Sequence, residues 1–155
     1  MPPLKVKLIR RTRAPTAAAD AAESPVAANA QSPVPLIDTR LFDTAYYLQQ
    51  NPDVAAAGID PLTHFLASGW QEGRNPSAWF SFRYYLANSP DVASSGAHPL
   101  AHYSTHGWRE ARDPSESFSL AKYLNAYPDV RAAGMDPLLH FMLYGRADKR
   151  VAFHV

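Results

Sequence analysis

The chain has 155 residues, a formal net charge of +1 and no cysteine. Its 46% hydrophobic content is enough for a core, and 15 basic against 14 acidic residues exclude a strongly basic nucleic-acid domain. The lack of cysteine excludes disulfides, thiolate metal sites and a cysteine nucleophile, and no apolar run reaches the ~18 residues of a transmembrane span.

Residues 1–36 are rich in proline and alanine and carry Lys5, Lys7, Arg10, Arg11 and Arg13 against Asp20 and Glu23. Such a stretch buries too little apolar surface to offset the entropy of ordering it, so a flexible basic arm is expected. Leu4, Val6 and Leu8 alternate with Lys5 and Lys7, the period of a strand with one apolar face. Together with Arg10, Arg11 and Arg13 they are candidates for binding a partner, by adding to its sheet or lying on an anionic surface. Residues 17–22 are short, weakly apolar and interrupted by Asp20, so no signal peptide is read and the sequence does not set the compartment.

From residue 37 onward the sequence repeats with a period of 38, giving units at 42–79, 80–117 and 118–155. Phe42, Phe80 and Phe118 begin them, and Pro52-Asp53-Val54 recurs as Pro90-Asp91-Val92 and Pro128-Asp129-Val130. Gly58, Pro61-Leu62, His64, Gly69 and Arg74 each recur twice more in register, without insertion or deletion.

Each unit reads as three short helices. Asp43, Ser81 and Ser119 are N-cap residues for the first, over roughly 44–50 in the first copy, with Tyr47 and Leu48 on its buried face. Asn51 and Ser89, followed by proline, open a second helix that Gly58 and Gly96 close; Tyr127 replaces the cap in the third copy. Asp60-Pro61 and Asp136-Pro137 open the third helix, with His98 a weaker cap between them. Leu62, Phe65 and Leu66 form its apolar stripe, and Gly69, Gly107 and Gly145 are expected as left-handed C-caps. Helices this short are marginal alone, so the three copies are expected to share one core, with Leu86 a core position in the central copy. The expected fold is all-α: three tandem 38-residue units of three short helices each, stacked as a gentle superhelix or hairpin behind an extended N-terminal arm.

His64, His102 and His140 repeat, and His106 lies four residues after His102, a chelating spacing without counterpart in the other copies. These histidines are read as structural, packing on an aromatic ring and bonding a backbone carbonyl; no metal or cofactor is expected. Asp53, Asp91 and Asp129 suit free N–H groups in a first helical turn and are likewise read as structural. Trp70 and Trp108, with Arg74 and Arg112, either seal unit junctions or meet a ligand, with Glu72 and Glu110 pairing the arginines. Arg146 replaces the tryptophan in the third copy. Trp79 has no counterpart tryptophan and is the better candidate for an exposed ligand platform.

No phosphate loop, nucleophile elbow or His-Glu-x-x-His helix occurs, and the polar residues mostly obey the repeat, so no enzyme is expected. The string FDTAYYLQQNPDVAAAGIDPLTHFLASGWQEGRNP and its two echoes resemble a bacterial repeat of Tyr-Tyr-Leu…Asn-Pro-Asp-Val…Pro-Leu…His-Tyr…Gly…Glu-Gly-Arg type, over about 38–152. That resemblance implies an accessory module, found beside glycosyltransferase or sulfotransferase regions and in secreted or surface proteins. Two functions follow as expectations. One is a noncatalytic protein-interaction, scaffolding or assembly module tethered by its arm, with a protein partner or self-association. The other is a carbohydrate-binding or cell-surface accessory module that uses exposed tryptophans. Nucleic acid is not expected as a partner, because the repeat body holds more acidic than basic residues.

Overall fold

The computed structural model describes residues 36–155, which form an all-α fold of three similar helix clusters. The expectations on Leu4, Val6, Leu8, Arg10, Arg11 and Arg13 lie outside the described residues. A short 3-10 turn, Thr39–Leu41, leads into the first unit. Its helices are α1 (Thr44–Gln50), α2 (Pro52–Ala57) and α3 (Pro61–His64). The second unit holds α4 (Phe82–Ala87), α5 (Pro90–Ser95) and α6 (Pro99–His102). The third holds α7 (Leu120–Ala126), α8 (Pro128–Ala133) and α9 (Pro137–His140).

Local chemistry accounts for most boundaries. The Asp43 carboxylate accepts from the Tyr46 N–H at 3.0 Å, and the Ser81 hydroxyl accepts from the Tyr84 N–H at 3.3 Å. Ser119 makes no such bond; instead Asp113, from the preceding unit, accepts from the Leu120 N–H at 2.7 Å. Nor does Asn51 or Ser89 cap by side chain, and proline at the first position is what starts the second helices. Gly58, Gly96 and Gly134 end them at φ of 66°, 67° and 62°.

The third helices continue past their first turn as wide π-helical turns: Phe65–Gly69, Tyr103–Gly107 and Phe141–Gly145. Gly69, Gly107 and Gly145 are therefore helical and buried, which corrects their expected role as left-handed caps. The left-handed residue falls four positions later, at Gly73, Ala111 and Lys149, with φ of 74°, 56° and 55°. Glycine takes this conformation freely, whereas a Cβ there crowds the following carbonyl.

One core runs through all three units. Tyr47, Tyr85 and Tyr123 are fully enclosed, as are Phe65, Leu100, Tyr103, Phe118 and Leu138. Leu48, Leu86 and Leu124 only pack against it from the side, so the central core position is Tyr85 rather than Leu86. Contacts also skip a unit. The Thr39–Leu41 turn lies against α9 and the π-turn after it, Trp79 meets Phe141 edge-on at 5.0 Å between ring centres, and Arg146 approaches Asp43 at 3.6 Å. In an open stack each repeat meets only its neighbours; here the first and third units touch as well.

Replacing Ala111 with glycine relieves the Cβ crowding at φ 56°, less the entropy glycine gives back to the unfolded chain. Ala111→Gly is expected to stabilise the protein by about 1 kcal/mol, measured as a raised urea midpoint at unchanged slope; a lowered midpoint would refute the strain assignment.

Candidate functional site

The repeated polar residues converge within each unit. From the middle of α1 the Tyr47 hydroxyl reaches the third helix and pairs with His64 Nδ1 at 2.9 Å; Tyr85 pairs with His102 at 2.8 Å and Tyr123 with His140 at 3.0 Å. The same hydroxyl rests on a glycine. A Cβ added at Gly69 or Gly107 would overlap the oxygen of Tyr47 or Tyr85, and Gly145 stands in the same relation to Tyr123. The histidines thus bond a side-chain hydroxyl, not the backbone carbonyl expected from sequence. Burial pushes the tyrosine hydroxyls up, Tyr123 to about 12, and pushes His102 and His140 down, so those two pairs join neutral groups near pH 7.

Beside each tyrosine–histidine pair, the arginines clasp the second helix. Arg74 N–H donates to the Gly69 carbonyl at 2.9 Å, and its guanidinium grips both oxygens of Asp53 at 2.9 and 2.8 Å. Arg112 holds Asp91 at 2.6 and 2.9 Å, and Arg150 holds Asp129 at 3.0 and 2.8 Å. Arg74 also reaches the Asn51 side-chain oxygen, while Glu72 and Glu110 take the remaining Nε of Arg74 and Arg112, as expected. The arginines pull the Asp53, Asp91 and Asp129 carboxyls below their ordinary range. These aspartates do lie in the first turn of the second helix, and the arginine clasp is a partner the sequence reading missed. The signal was present: aspartate and arginine repeat 21 residues apart, and tyrosine and histidine 17 apart.

Junctions between units use a different set. Trp70 stacks on His98 at 4.5 Å between ring centres, sealing the first junction; His98 is 6% exposed, with the Phe65 and Phe82 rings set steeply to it in edge-type contacts. At the second junction the Tyr103 hydroxyl donates to Asp136 at 2.8 Å, and Asp136 also accepts from the Leu138 and Leu139 N–H groups. Trp108 donates from its indole to the Ser104 carbonyl and carries the Arg109 guanidinium over its ring at 4.4 Å. Trp79, expected to be exposed, is half-buried against Phe141. All three tryptophans therefore pack against the protein itself.

Beside this lattice lies a groove of about 520 Å³ over α4, bounded by Arg83, Tyr84 and Asn88 on one side and residues 115–117 on the other. His102 and His106 stack at 5.8 Å, yet among the described residues no group of three or more acidic or histidine side chains could hold a metal ion. Among them, too, no helix is long and apolar enough to cross a membrane. No protein-family model, curated protein or solved structure matches the chain.

Two outcomes follow from these contacts. Gly107→Ala is expected to cost about 1–3 kcal/mol, the range for an overpacked core, and Tyr85→Phe in the same chain to recover part of that loss by removing the obstructing oxygen. Additive costs in a double-mutant cycle of urea midpoints would contradict the contact.

The junction groups titrate in opposition. Burial raises Asp136 to about 6, so its ionisation lowers stability as pH rises from about 4 to 6. Burial lowers His98 to about 4, so stability falls as pH drops from about 6.5 to 4. Asp136→Asn should therefore make the urea midpoint fall more steeply than wild type on acidification across this window. His98→Leu should make it fall more steeply as pH rises. Parallel profiles in all three proteins would disprove both assignments.

Proposed function

We propose that this chain is a noncatalytic interaction module, whose helical units form a rigid face and whose residues 1–36 tether it to a protein partner or to further copies of itself. The observation that carries the reading is how the repeated polar residues are spent. The tyrosine hydroxyls pair with histidines and the arginines pair with aspartates inside each unit, so these groups hold the fold. The three tyrosines are fully enclosed and burial pushes their hydroxyls above the ordinary range, which suits a structural bond rather than an ionised nucleophile. The arm supplies the contrasting chemistry: five basic residues with an alternating apolar face between Leu4 and Leu8. The resemblance to accessory repeats points the same way.

Tryptophan platforms lend no support to the carbohydrate reading, because Trp70, Trp79 and Trp108 are engaged with His98, Phe141 and Arg109.

Light scattering across protein concentration and salt tests the proposal. The full chain is expected to self-associate, and a 37–155 chain to stay monomeric with unchanged helical circular dichroism. Equal masses at all concentrations would remove the arm from self-association, leaving the tether to be judged against a foreign protein.

A further inference from the structure

The groove over α4 differs from the rest of the surface in what its side chains leave unused. Its walls are pinned: Asn75 accepts from the Phe82 N–H at 3.0 Å, Ser115 donates to the Trp79 carbonyl at 2.9 Å, and the Glu116 carbonyl accepts from the Val155 N–H at 3.0 Å. The Asn88 amide nitrogen is fixed on the Tyr84 carbonyl at 2.9 Å. Between these walls, the Arg83 guanidinium, the Tyr84 hydroxyl, the Asn88 side-chain oxygen and the Glu116 carboxylate make no hydrogen bond or ion pair among the described residues. The repeated arginines, by contrast, are all clasped.

Symmetry separates them too. Arg83 corresponds to Ala45 and Ala121 in the other units, Glu116 to Ala78 and His154, and Asn88 to Gln50 and Ala126. Residues that merely build the unit keep its period, whereas these depart from it and gather around one groove. We propose that this groove binds a saccharide of one or two rings.

The chemistry selects that class. One cation and one anion leave the lining neutral, which disfavours phosphate and polyanions. The Tyr84 ring in the lining is an apolar surface of the kind that packs on the C–H side of a pyranose, with Ala87 also lining the groove. Planar groups from Arg83, Asn88 and Glu116 supply donors and acceptors matched to vicinal hydroxyls, and the hydroxyls of Ser81 and Ser117 add both. A volume of about 520 Å³ lies within the usual range for small-ligand sites. The pinned walls keep their shape, so the ordering cost of binding falls on the exposed Arg83 and Glu116 side chains. The site uses none of the tryptophans and does not depend on self-association, which light scattering tests separately.

The test is a titration of the full chain, followed by amide NMR, with maltose, cellobiose, lactose and chitobiose, and with the dipeptide Ala-Ala as the zwitterionic control. At least one disaccharide is expected to shift the amides of Tyr84, Asn88 and Ser117 with saturation. In Arg83→Ala/Glu116→Ala the affinity should fall about tenfold or more. Both substituted side chains are exposed, and an unchanged thermal melt would confirm that the variant folds. No saturable shift with any disaccharide, shifts unaltered by the double substitution, or saturation by Ala-Ala alone would each overturn the proposal.

Discussion

A tyrosine hydroxyl seated on a glycine backbone fixes the shape of every unit. The contact needs the oxygen where a Cβ would stand, so only glycine serves at positions 69, 107 and 145. Its reach across the unit ties the first helix to the third, and histidine gives the buried hydroxyl a hydrogen-bonding partner, without which burial would be costly. From the same glycine the carbonyl takes the N–H of the arginine that clasps the second helix. Three helices of four to seven residues are thereby bound by a handful of polar contacts. None would persist alone.

Between units the same position is solved in two ways. Where the third helix of the second unit offers a tyrosine, the next unit answers with an aspartate; where the first unit offers a phenylalanine, the next presents a histidine stacked under tryptophan. Asp136 and His98 thus stand at equivalent positions and pay the cost of burial in opposite protonation states. The junctions are chemically distinct within a repeating frame, which fixes the order in which the units can neighbour each other.

Periodicity made the helices legible. Proline and aspartate at fixed offsets gave their starts, and Gly58, Gly96 and Gly134 their stops. Three things did not follow from spacing. The π-helical turns shift each later residue by one relative to an α-helix, so the buried glycines looked like caps from sequence. Contacts between the first and third units depend on how sharply the array winds, a quantity no single repeat encodes. Trp79 looked free because it breaks the period, yet its ring skips the second unit and meets Phe141 of the third. Breaking the period is informative only when the side chain is also left without a partner, as around α4.

The contact that skips a unit bears on how such a gene can change. In an open array, copies can be gained or lost by recombination because each meets only its neighbours. Here a copy inserted between the second and third units would carry Phe141 away from Trp79, and the third helix away from the Thr39–Leu41 turn. A deletion would leave Leu41 facing the wrong partner. Insertion or loss of a copy among these three units is therefore under the same packing constraint as any core side chain.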